Sequence, residues 1–227
     1  MKRTFKQAFI ATIPVLTGYL ALGFGFGILL DAAGFSIPLA LIMAITMYAG
    51  SMQYVGVSLL ASAAPLLTVA ITTLLVQARH LFYGITLIDK YRSVGPRKLY
   101  LMFGLTDETY SLICRDHPGV PAEEKKNYYL FVTLLDHIYW ISGCVLGAAV
   151  GSLVSFNSEG IDFVLTALFL TIFVEQWLST KKHIFAIVGV AVSAVCLIII
   201  GGENFLIPAM LIIALVLSLY KEDKPNA

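Results

Sequence analysis

Residues 7–78 read QAFIATIPVLTGYLALGFGFGILLDAAGFSIPLALIMAITMYAGSMQYVGVSLLASAAPLLTVAITTLLVQA, and this stretch decides the fold. Asp31 is its single charged residue, and the charges that bound it are Lys6 and Arg79. A helix needs about 20 apolar residues to cross the hydrocarbon core of a bilayer. The stretch is therefore long enough for two or three membrane-spanning helices.

The composition of the whole chain agrees with a membrane protein. Of the 227 residues, 59% are hydrophobic and 13% are charged, whereas a soluble domain carries about 25% charged residues. The apolar segments have helical lengths, and none shows the alternation of a membrane β-barrel. We predict an all-α, polytopic membrane protein, with one multi-pass domain over 1–227 and apolar segments at 8–30, 37–62, 65–88, 99–114, 128–154, 161–179, 183–200 and 205–220.

Several classes of ligand are disfavoured by the same sequence. A net charge of +1 argues against a nucleic-acid partner, because several phosphates would need neutralising. The cysteines Cys114, Cys144 and Cys196 are widely spaced and fit no metal-binding pattern. The glycines at 23, 25 and 27 lack the spacing of a dinucleotide-binding loop. We expect neither a metal nor a cofactor.

Segment 99–114 leaves the number of spans open. If it crosses the bilayer there are eight spans, and both termini lie on the same side. If it only dips into the bilayer there are seven, and the N-terminus lies outside. The distribution of lysine and arginine does not separate these arrangements, and both place the C-terminus in the cytoplasm.

A faint internal repeat favours seven spans. Residues 19–54 and 140–177 each contain a Gly-rich helix, a polar turn, an apolar helix and an amide–aromatic pair. The full repeat units would be 8–88 and 128–200. In the seven-span arrangement these units are inverted, as in many secondary transporters.

Charged side chains interrupt the apolar segments at a few places. Placing a charge at bilayer depth costs a few kcal/mol, so such residues often mark a pathway or a binding site. The charges in question are Arg79, Asp107, Glu108, Asp136 and Glu175.

Arg79 and the two adjacent acids suggest recognition of a charged ligand. Arg79 lies one helical turn before Tyr83, and its guanidinium could bind a carboxylate bidentately; a snorkelling arginine explains the same position. Asp107 and Glu108 point to different helix faces, and suit recognition of an ammonium group or uptake of a proton. A location near the surface, where both acids are solvated, is the other interpretation.

The pair Asp136–His137 suits proton transfer near neutral pH. The neighbouring Tyr139 and Trp140 allow another interpretation, in which an aromatic belt and a capped histidine lie at the membrane interface. Gln53, like Gln176 in the repeat, serves either interhelical hydrogen bonding or substrate contact.

Glycines at every fourth position predict close helix packing. Gly143, Gly147 and Gly151 would lie on one helix face, where a second backbone can approach.

Three motifs together resemble the AzlC family, whose members are the large subunits of two-component branched-chain amino acid exporters. They are YAGSMQY at 48–54, ARHLFYG at 78–84 and GLTDETY at 104–110. The segments 136–140 and 168–177 are similar as well, so the resemblance covers nearly the whole chain in order. It implies export of valine, leucine and isoleucine, with methionine as a further candidate, across the bacterial plasma membrane. It also implies a small multi-pass partner of the AzlD type.

The leading hypothesis is therefore a proton-coupled secondary exporter. A passive channel or a non-transporting scaffold stays open as the alternative. An enzyme is not expected, because the chain has neither HExxH nor GxSxG. The predicted substrate-binding residues are Arg79, Gln53, Tyr54, Tyr83, Asp107 and Glu108, and the candidates for proton coupling are Asp136, His137, His80 and Glu175.

Overall fold

The computed structural model describes residues 1–92, 94–114, 117, 119–153, 170, 173–174, 177–178, 183–202 and 205–219. These residues form helices and the turns between them, with no strand, which confirms the predicted all-α class. The helices are α1 (Lys2–Ala32), α2 (Ile37–Thr46), α3 (Gly50–Ala61), α4 (Leu66–Tyr91), α5 (Lys98–Phe103), α6 (Asp107–Cys114), α7 (Lys125–Leu153), α8 (Ile184–Ile200) and α9 (Leu206–Leu219). Short 3-10 turns at Gly95–Arg97 and Ala122–Glu124 precede α5 and α7.

The chain forms two compact units. The first contains Met1–Val69 and Val76–Leu165, and the second contains Ala70–Leu75 and Thr166–Ala227. In the second unit α8 packs against α9, and both helices are almost wholly apolar. The candidate functional residues that the structure describes lie in the first unit.

Within the described residues, two helices are long and apolar enough to cross a membrane. They are Lys2–Ala32 and the continuous segment Ala122–Leu153. Large apolar side chains on α1, such as Phe9, Ile10 and Ile13, are more than 40% exposed. Contiguous exposed apolar faces of this kind are unfavourable in water and suit contact with lipid.

α1 and α7 run side by side in the same direction. At one end the amino group of Met1 pairs with Glu124 at 3.0 Å. At the other end a Cβ added to Gly151 would lie 3.0 Å from the Cβ of Asp31. The two helices are therefore parallel over their whole length.

Glycines make this close approach possible. A Cβ at Gly143 would lie 2.8 Å from the carbonyl oxygen of Tyr19, and one at Gly147 would lie 2.7 Å from the carbonyl carbon of Phe24. On α1, a Cβ at Gly27 would likewise lie 2.7 Å from the Gly147 carbonyl carbon. Backbone meets backbone here, and no side chain can move aside to make room.

Segment 37–62, which the sequence analysis takes as one apolar span, is a helical hairpin. α2 and α3 contain only 10 and 12 residues, and Tyr48 between them has a positive φ of 37°. A Cβ added to Gly56 of α3 would lie 3.5 Å from the Cε of Met43 in α2. In a continuous helix these two residues would be about 20 Å apart. The chain therefore folds back on itself near Tyr48.

The two ends of this first hairpin, the start of α2 and the end of α3, lie toward the C-terminal ends of α1 and α7, and its tip at Tyr48 points back toward the middle of these helices. α2 begins just after α1 ends, and its carbonyl of Ala44 accepts a hydrogen bond from His137, midway along α7. α3 then returns, since the hydroxyl of Tyr54 donates to the carbonyl of Leu22 and its ring packs 5.7 Å from Phe26.

α5 and α6 form a second hairpin that opens toward the opposite end. Just before α5, Arg97 donates to Asn127 near the start of α7, at 2.8 Å. At the end of α6, Lys90 of α4 donates to the carbonyls of Ile113 and Cys114 at 3.0 and 2.8 Å. The next residue of α4, Tyr91, packs 6.1 Å from Tyr129 near the start of α7. With 6 and 8 residues, these helices are too short to cross a bilayer. Segment 99–114 therefore enters and leaves at the same end of α7.

The orientation of α1 and α7 bears on the expected repeat. The contacts at their two ends show that α1 and α7 are parallel. The helices that open the two repeat units thus do not have the opposite orientations that inverted repeats require. Most of residues 154–182, in the second unit of the repeat, lies outside the described part of the chain.

Cysteine labelling from the two membrane faces tests this topology. In a background without Cys114, Cys144 and Cys196, we expect Ser36→Cys and Ser62→Cys to react with an impermeant maleimide from one face, because they lie at the two open ends of the first hairpin. Pro96→Cys and Glu123→Cys should react from the other face. All four positions are exposed in the structure. Labelling of positions 36 and 62 from opposite faces would instead show that segment 37–62 crosses the membrane once.

Candidate functional site

The tips of the two hairpins meet beside the packed pair of α1 and α7. The ring of Tyr48, at the first tip, stacks on His137 of α7 with a centroid distance of 4.2 Å. The ring of Tyr48 also lies 6.3 Å from the ring of Phe103 at the second tip. A Cβ added to Gly104 would be 3.7 Å from Cε1 of Tyr48. Since His137 is near the middle of α7, the tips meet at about half the length of the long helices.

Two helix N-termini point into this region. α3 begins at Gly50 and α6 at Asp107, directly after the two tips. The first amides of a helix have no intrahelical acceptor, and this end of the helix is electrically positive. In transporters, half-helices that start at mid-membrane use these ends to bind anionic groups of the substrate.

Gln53, in the first turn of α3, is held by Trp140. The indole Nε1 of Trp140 donates to the Oε1 of Gln53, and the indole ring packs edge-on against Tyr19 at 5.4 Å. Gln53 is fully buried. Its Nε2 has no hydrogen-bond acceptor among the described residues, so a buried donor is available beside the N-terminus of α3.

A continuous chain of hydrogen bonds joins Glu108 to Asp136. The hydroxyl of Tyr19 contacts Glu108 Oε2 at 2.7 Å and Thr106 Oγ1 at 2.6 Å. Thr106 contacts Thr109 Oγ1 at 3.1 Å, and Thr109 donates to Asp136 Oδ2 at 2.7 Å. We call the three hydroxyls of Tyr19, Thr106 and Thr109 the hydroxyl chain.

Asp136 is the most deeply placed acid of the site. The residue is 0% exposed, and its second oxygen, Oδ1, has no hydrogen-bond donor in the part of the chain that the structure describes. Thr133 and Trp140 lie three and four residues away on the same face of α7. Because Trp140 holds Gln53, an unpaired donor and an unpaired acceptor occupy the same buried region.

His137 has a structural contact at each ring nitrogen. Nε2 donates to the carbonyl of Ala44 at 3.3 Å, and Nδ1 lies 3.1 Å from the hydroxyl of Tyr100. A neutral imidazole satisfies both contacts with one donor and one acceptor. His137 thus ties both hairpins to α7, and its predicted part in proton coupling stays a prediction.

The other predicted residues are more dispersed. Tyr54 is directed at the backbone of α1. Tyr83 stacks on Tyr110 of α6 at 4.5 Å, with His80 at 5.7 Å on the same helix. Asp107 is half-buried at the first position of α6. The side chain of Arg79 and the whole of Glu175 and Gln176 lie outside the described residues.

The hydroxyl chain is not predicted from the sequence. Tyr19, Thr106 and Thr109 are neutral, so they do not stand out as costly in an apolar segment. One local signal was present: Thr106 directly precedes the acidic start of α6, and its Oγ1 accepts the amide of Thr109 at 3.3 Å, as a helix N-cap does. Tyr19 carries no such signal, because only the packing of α1 on α7 brings it to Glu108.

Comparison with known proteins places the chain in a family. The model of the AzlC protein family matches residues 14–154, the range that contains the hairpins and the hydroxyl chain. The branched-chain amino acid transport protein AzlC of Bacillus subtilis is 46% identical over 98% of this chain and 87% of its own length. An uncharacterised membrane protein of Helicobacter pylori is 39% identical over 97% of this chain and 96% of its own.

A more distant relative is the inner membrane protein YgaZ of Escherichia coli, 24% identical over 94% of this chain and 87% of its own length. No solved structure matches the chain. The names of the relatives and the apolar helices agree on a membrane location. With the family model covering more than half of the chain and the Bacillus relative covering nearly all of it, this protein belongs to the AzlC family.

Proposed function

We propose that this protein is the large subunit of a secondary transporter that exports branched-chain amino acids across the bacterial plasma membrane in exchange for protons. Valine, leucine and isoleucine are the proposed substrates, with methionine as a further candidate. The observation that carries the proposal is the meeting of two re-entrant hairpins around a buried, unpaired donor and acceptor. The printed name of the Bacillus relative supports the substrate class.

The unpaired groups suit the two charges of an amino acid. The substrate carboxylate would bind at the N-terminus of α3, where Gln53 Nε2 and the first backbone amides are donors. The substrate ammonium would bind at the free oxygen of Asp136. Arg79 remains a proposed second partner of the carboxylate, and Asp107 and Glu108 remain proposed partners of the ammonium group.

The rings around the hairpin tips suit an apolar side chain. The rings of Tyr48 and Phe103 approach each other there. Gly50 packs against the indole of Trp140, since a Cβ built on Gly50 would lie 3.0 Å from the indole ring. A branched aliphatic side chain gains free energy by leaving water for such surfaces. A hydroxylated or charged side chain would leave its polar groups unpaired.

The opposed hairpins also suggest how access would alternate. The first hairpin opens toward the C-terminal end of α1 and the second toward its N-terminal end. Movement of one hairpin would expose the central site to one face of the membrane while the other hairpin keeps it closed. Alternating access by movement of one element against another is the general behaviour of such transporters.

The protein would act together with a partner subunit and would not modify its substrate. A small multi-pass subunit of the AzlD type would assemble with this chain in the bilayer. The protein would transport its substrate unchanged, without a cofactor, as a multi-pass protein of the plasma membrane. Tyr54, Tyr83, His80, His137 and Glu175 remain proposed contributors to binding or coupling.

Flux measurements in proteoliposomes test this function. Vesicles loaded with radiolabelled leucine should release it when a pH gradient is imposed, and release should stop when a protonophore dissipates the gradient. The chain is assayed alone and with the small subunit, with empty vesicles as the control. Leucine release that ignores the gradient would indicate a passive pore, and no leucine flux in either preparation would contradict the transport role.

A further inference from the structure

We propose that Glu108 and Asp136 hold one exchangeable proton between them, and that this proton moves through the hydroxyl chain of Tyr19, Thr106 and Thr109. The inference rests on the proposed function, since it assigns the coupling proton of the exporter to named groups. It is based on the four contacts that the hydroxyl chain makes between the two acids, and on a count of the protons available to these contacts.

Four oxygen–oxygen contacts connect the two acids. They measure 2.7 Å from Glu108 to Tyr19, 2.6 Å from Tyr19 to Thr106, 3.1 Å from Thr106 to Thr109 and 2.7 Å from Thr109 to Asp136. Each hydrogen bond needs one proton between its oxygens, and each hydroxyl supplies one. The three hydroxyls therefore supply three protons for four contacts.

The protonation state of the acids follows from this count. If both carboxylates are ionised, one of the four contacts joins two oxygens with no proton between them. If one carboxyl group is protonated, every contact becomes a hydrogen bond. If both are protonated, one proton has no place in the chain of contacts. The geometry is thus complete with a single proton shared by Glu108 and Asp136.

Two arrangements of this proton are equivalent in hydrogen bonding. In the first, Glu108 is protonated and every hydroxyl donates toward Asp136; in the second, Asp136 is protonated and every hydroxyl donates toward Glu108. Conversion moves four protons by one position each: the O–H bond of Glu108 breaks, an O–H bond of Asp136 forms, and each hydroxyl gives one proton and receives one. Thr106 also accepts the Thr109 amide in both arrangements.

The two ends of the chain differ in accessibility. Glu108 is half-buried, whereas Asp136 is 0% exposed. A proton would therefore enter at Glu108 and reach the buried acid through the hydroxyls. Because a protonated Asp136 cannot pair with the substrate ammonium, proton and amino acid would compete for this group, and such competition is what couples their opposite movements.

Other titratable groups surround the two acids. Tyr48 interacts electrostatically with both Asp136 and Glu108, and its side chain also interacts with Tyr19 and Thr109 of the hydroxyl chain. Its hydroxyl forms no hydrogen bond of standard geometry with the described residues, so it adds no proton to the four contacts. Tyr100 and Tyr128 interact with Asp136. His137 is the next residue on α7 and is bonded at both ring nitrogens. These groups contribute to the electrostatic field at Asp136, but none of them is a member of the four contacts.

Two conservative variants interrupt the hydroxyl chain without removing either acid. Thr109→Val and Tyr19→Phe each delete one hydroxyl and keep the size of the side chain. Matched controls come from the same pair of long helices. Thr12 and Tyr139 are buried, and their hydroxyls contact each other at 3.3 Å but do not belong to the hydroxyl chain. Thr12→Val and Tyr139→Phe therefore make the same chemical changes elsewhere in the α1–α7 packing.

The assay compares two modes of transport by the reconstituted protein with its small subunit. Leucine–leucine exchange at equal pH needs no net proton movement, whereas export driven by a pH gradient does. We expect Thr109→Val and Tyr19→Phe to lower gradient-driven export by at least about tenfold, because each variant removes a hydroxyl that passes the proton, while exchange changes little. The controls should retain both modes.

The outcomes separate this inference from the proposed function. If the wild-type protein couples leucine export to protons and both chain variants do so equally well, the hydroxyl chain is not the proton path. A control variant that loses coupling as strongly as Thr109→Val would attribute the effect to packing and overturn the assignment in the same way. Absence of leucine flux in the wild-type protein would instead contradict the exporter itself.

Discussion

Gly147→Ala should leave little folded protein in detergent extracts. The added methyl group would overlap the carbonyl of Phe24 on α1, with its Cβ 2.7 Å from the carbonyl carbon. Overpacking of a well-fitted interface costs about 1–3 kcal/mol, and we expect the upper end or more here because the contact is with backbone. The measurement is the unfolding temperature of the purified protein in detergent, together with its yield as a monodisperse species.

Gly18→Ala is the control for this substitution. Gly18 also lies within a long helix, α1, but a Cβ built on it has no atom within 4 Å. Alanine favours a helix over glycine by about 1 kcal/mol, so this variant should be as stable as the wild type or slightly more stable. A Gly147→Ala protein with an unchanged unfolding temperature would show that α1 and α7 are not packed as closely as in the structure.

The long helices could be predicted from sequence, and the first hairpin could not. α1 and α7 are recognisable as predominantly apolar helices of 31 and 29 residues, and the glycines at 143, 147 and 151 mark the face on which they meet. The reversal at Tyr48 lies in a predominantly apolar segment that has no charged residue and no proline between positions 39 and 64. Nothing local distinguishes two half-helices there from a single span, because the reversal depends on contacts with α7 through His137.

The second hairpin was easier to anticipate. Polar residues from Thr106 to Thr109 interrupt segment 99–114, and re-entry of this segment was one of the two arrangements that the sequence allowed. The acids of the site, Glu108 and Asp136, were visible as charges in apolar surroundings. Their connection was not visible, since it depends on Tyr19, which is far from both in sequence and reaches them only through the packing of α1 against α7.

The structure therefore joins two features that the sequence presents separately. The glycine face brings α1 within backbone contact of α7, and this contact places Tyr19 opposite Thr106 and Glu108. The stability of the helix pair and the integrity of the proposed proton path have the same origin. A variant that separates the two helices should accordingly lose coupling as well as stability, whereas a variant in the hydroxyl chain should lose coupling alone.

Asp136→Asn should reduce leucine export by about a hundredfold or more. The substituted amide keeps the size of the side chain, and its oxygen still accepts the hydrogen bond that Thr109 donates at 2.7 Å. It has no charge to pair with the substrate ammonium and cannot take up the coupling proton. Loss of a charge-assisted interaction at a buried position is worth about 3 kcal/mol, which corresponds to about a hundredfold in binding.

Asp89→Asn provides the comparison for this variant. The Asp89 side chain is 92% exposed and pairs with Arg92 at 4.0 Å on the surface of α4, so its charge contributes little and export should remain at the wild-type level. Both variants are assayed in proteoliposomes with matched protein content, and their unfolding temperatures are measured in detergent. A folded Asp136→Asn protein that still exports leucine at half the wild-type rate or faster would remove Asp136 from both the binding and the coupling step, because neither a positive charge nor a proton can be held there by an amide.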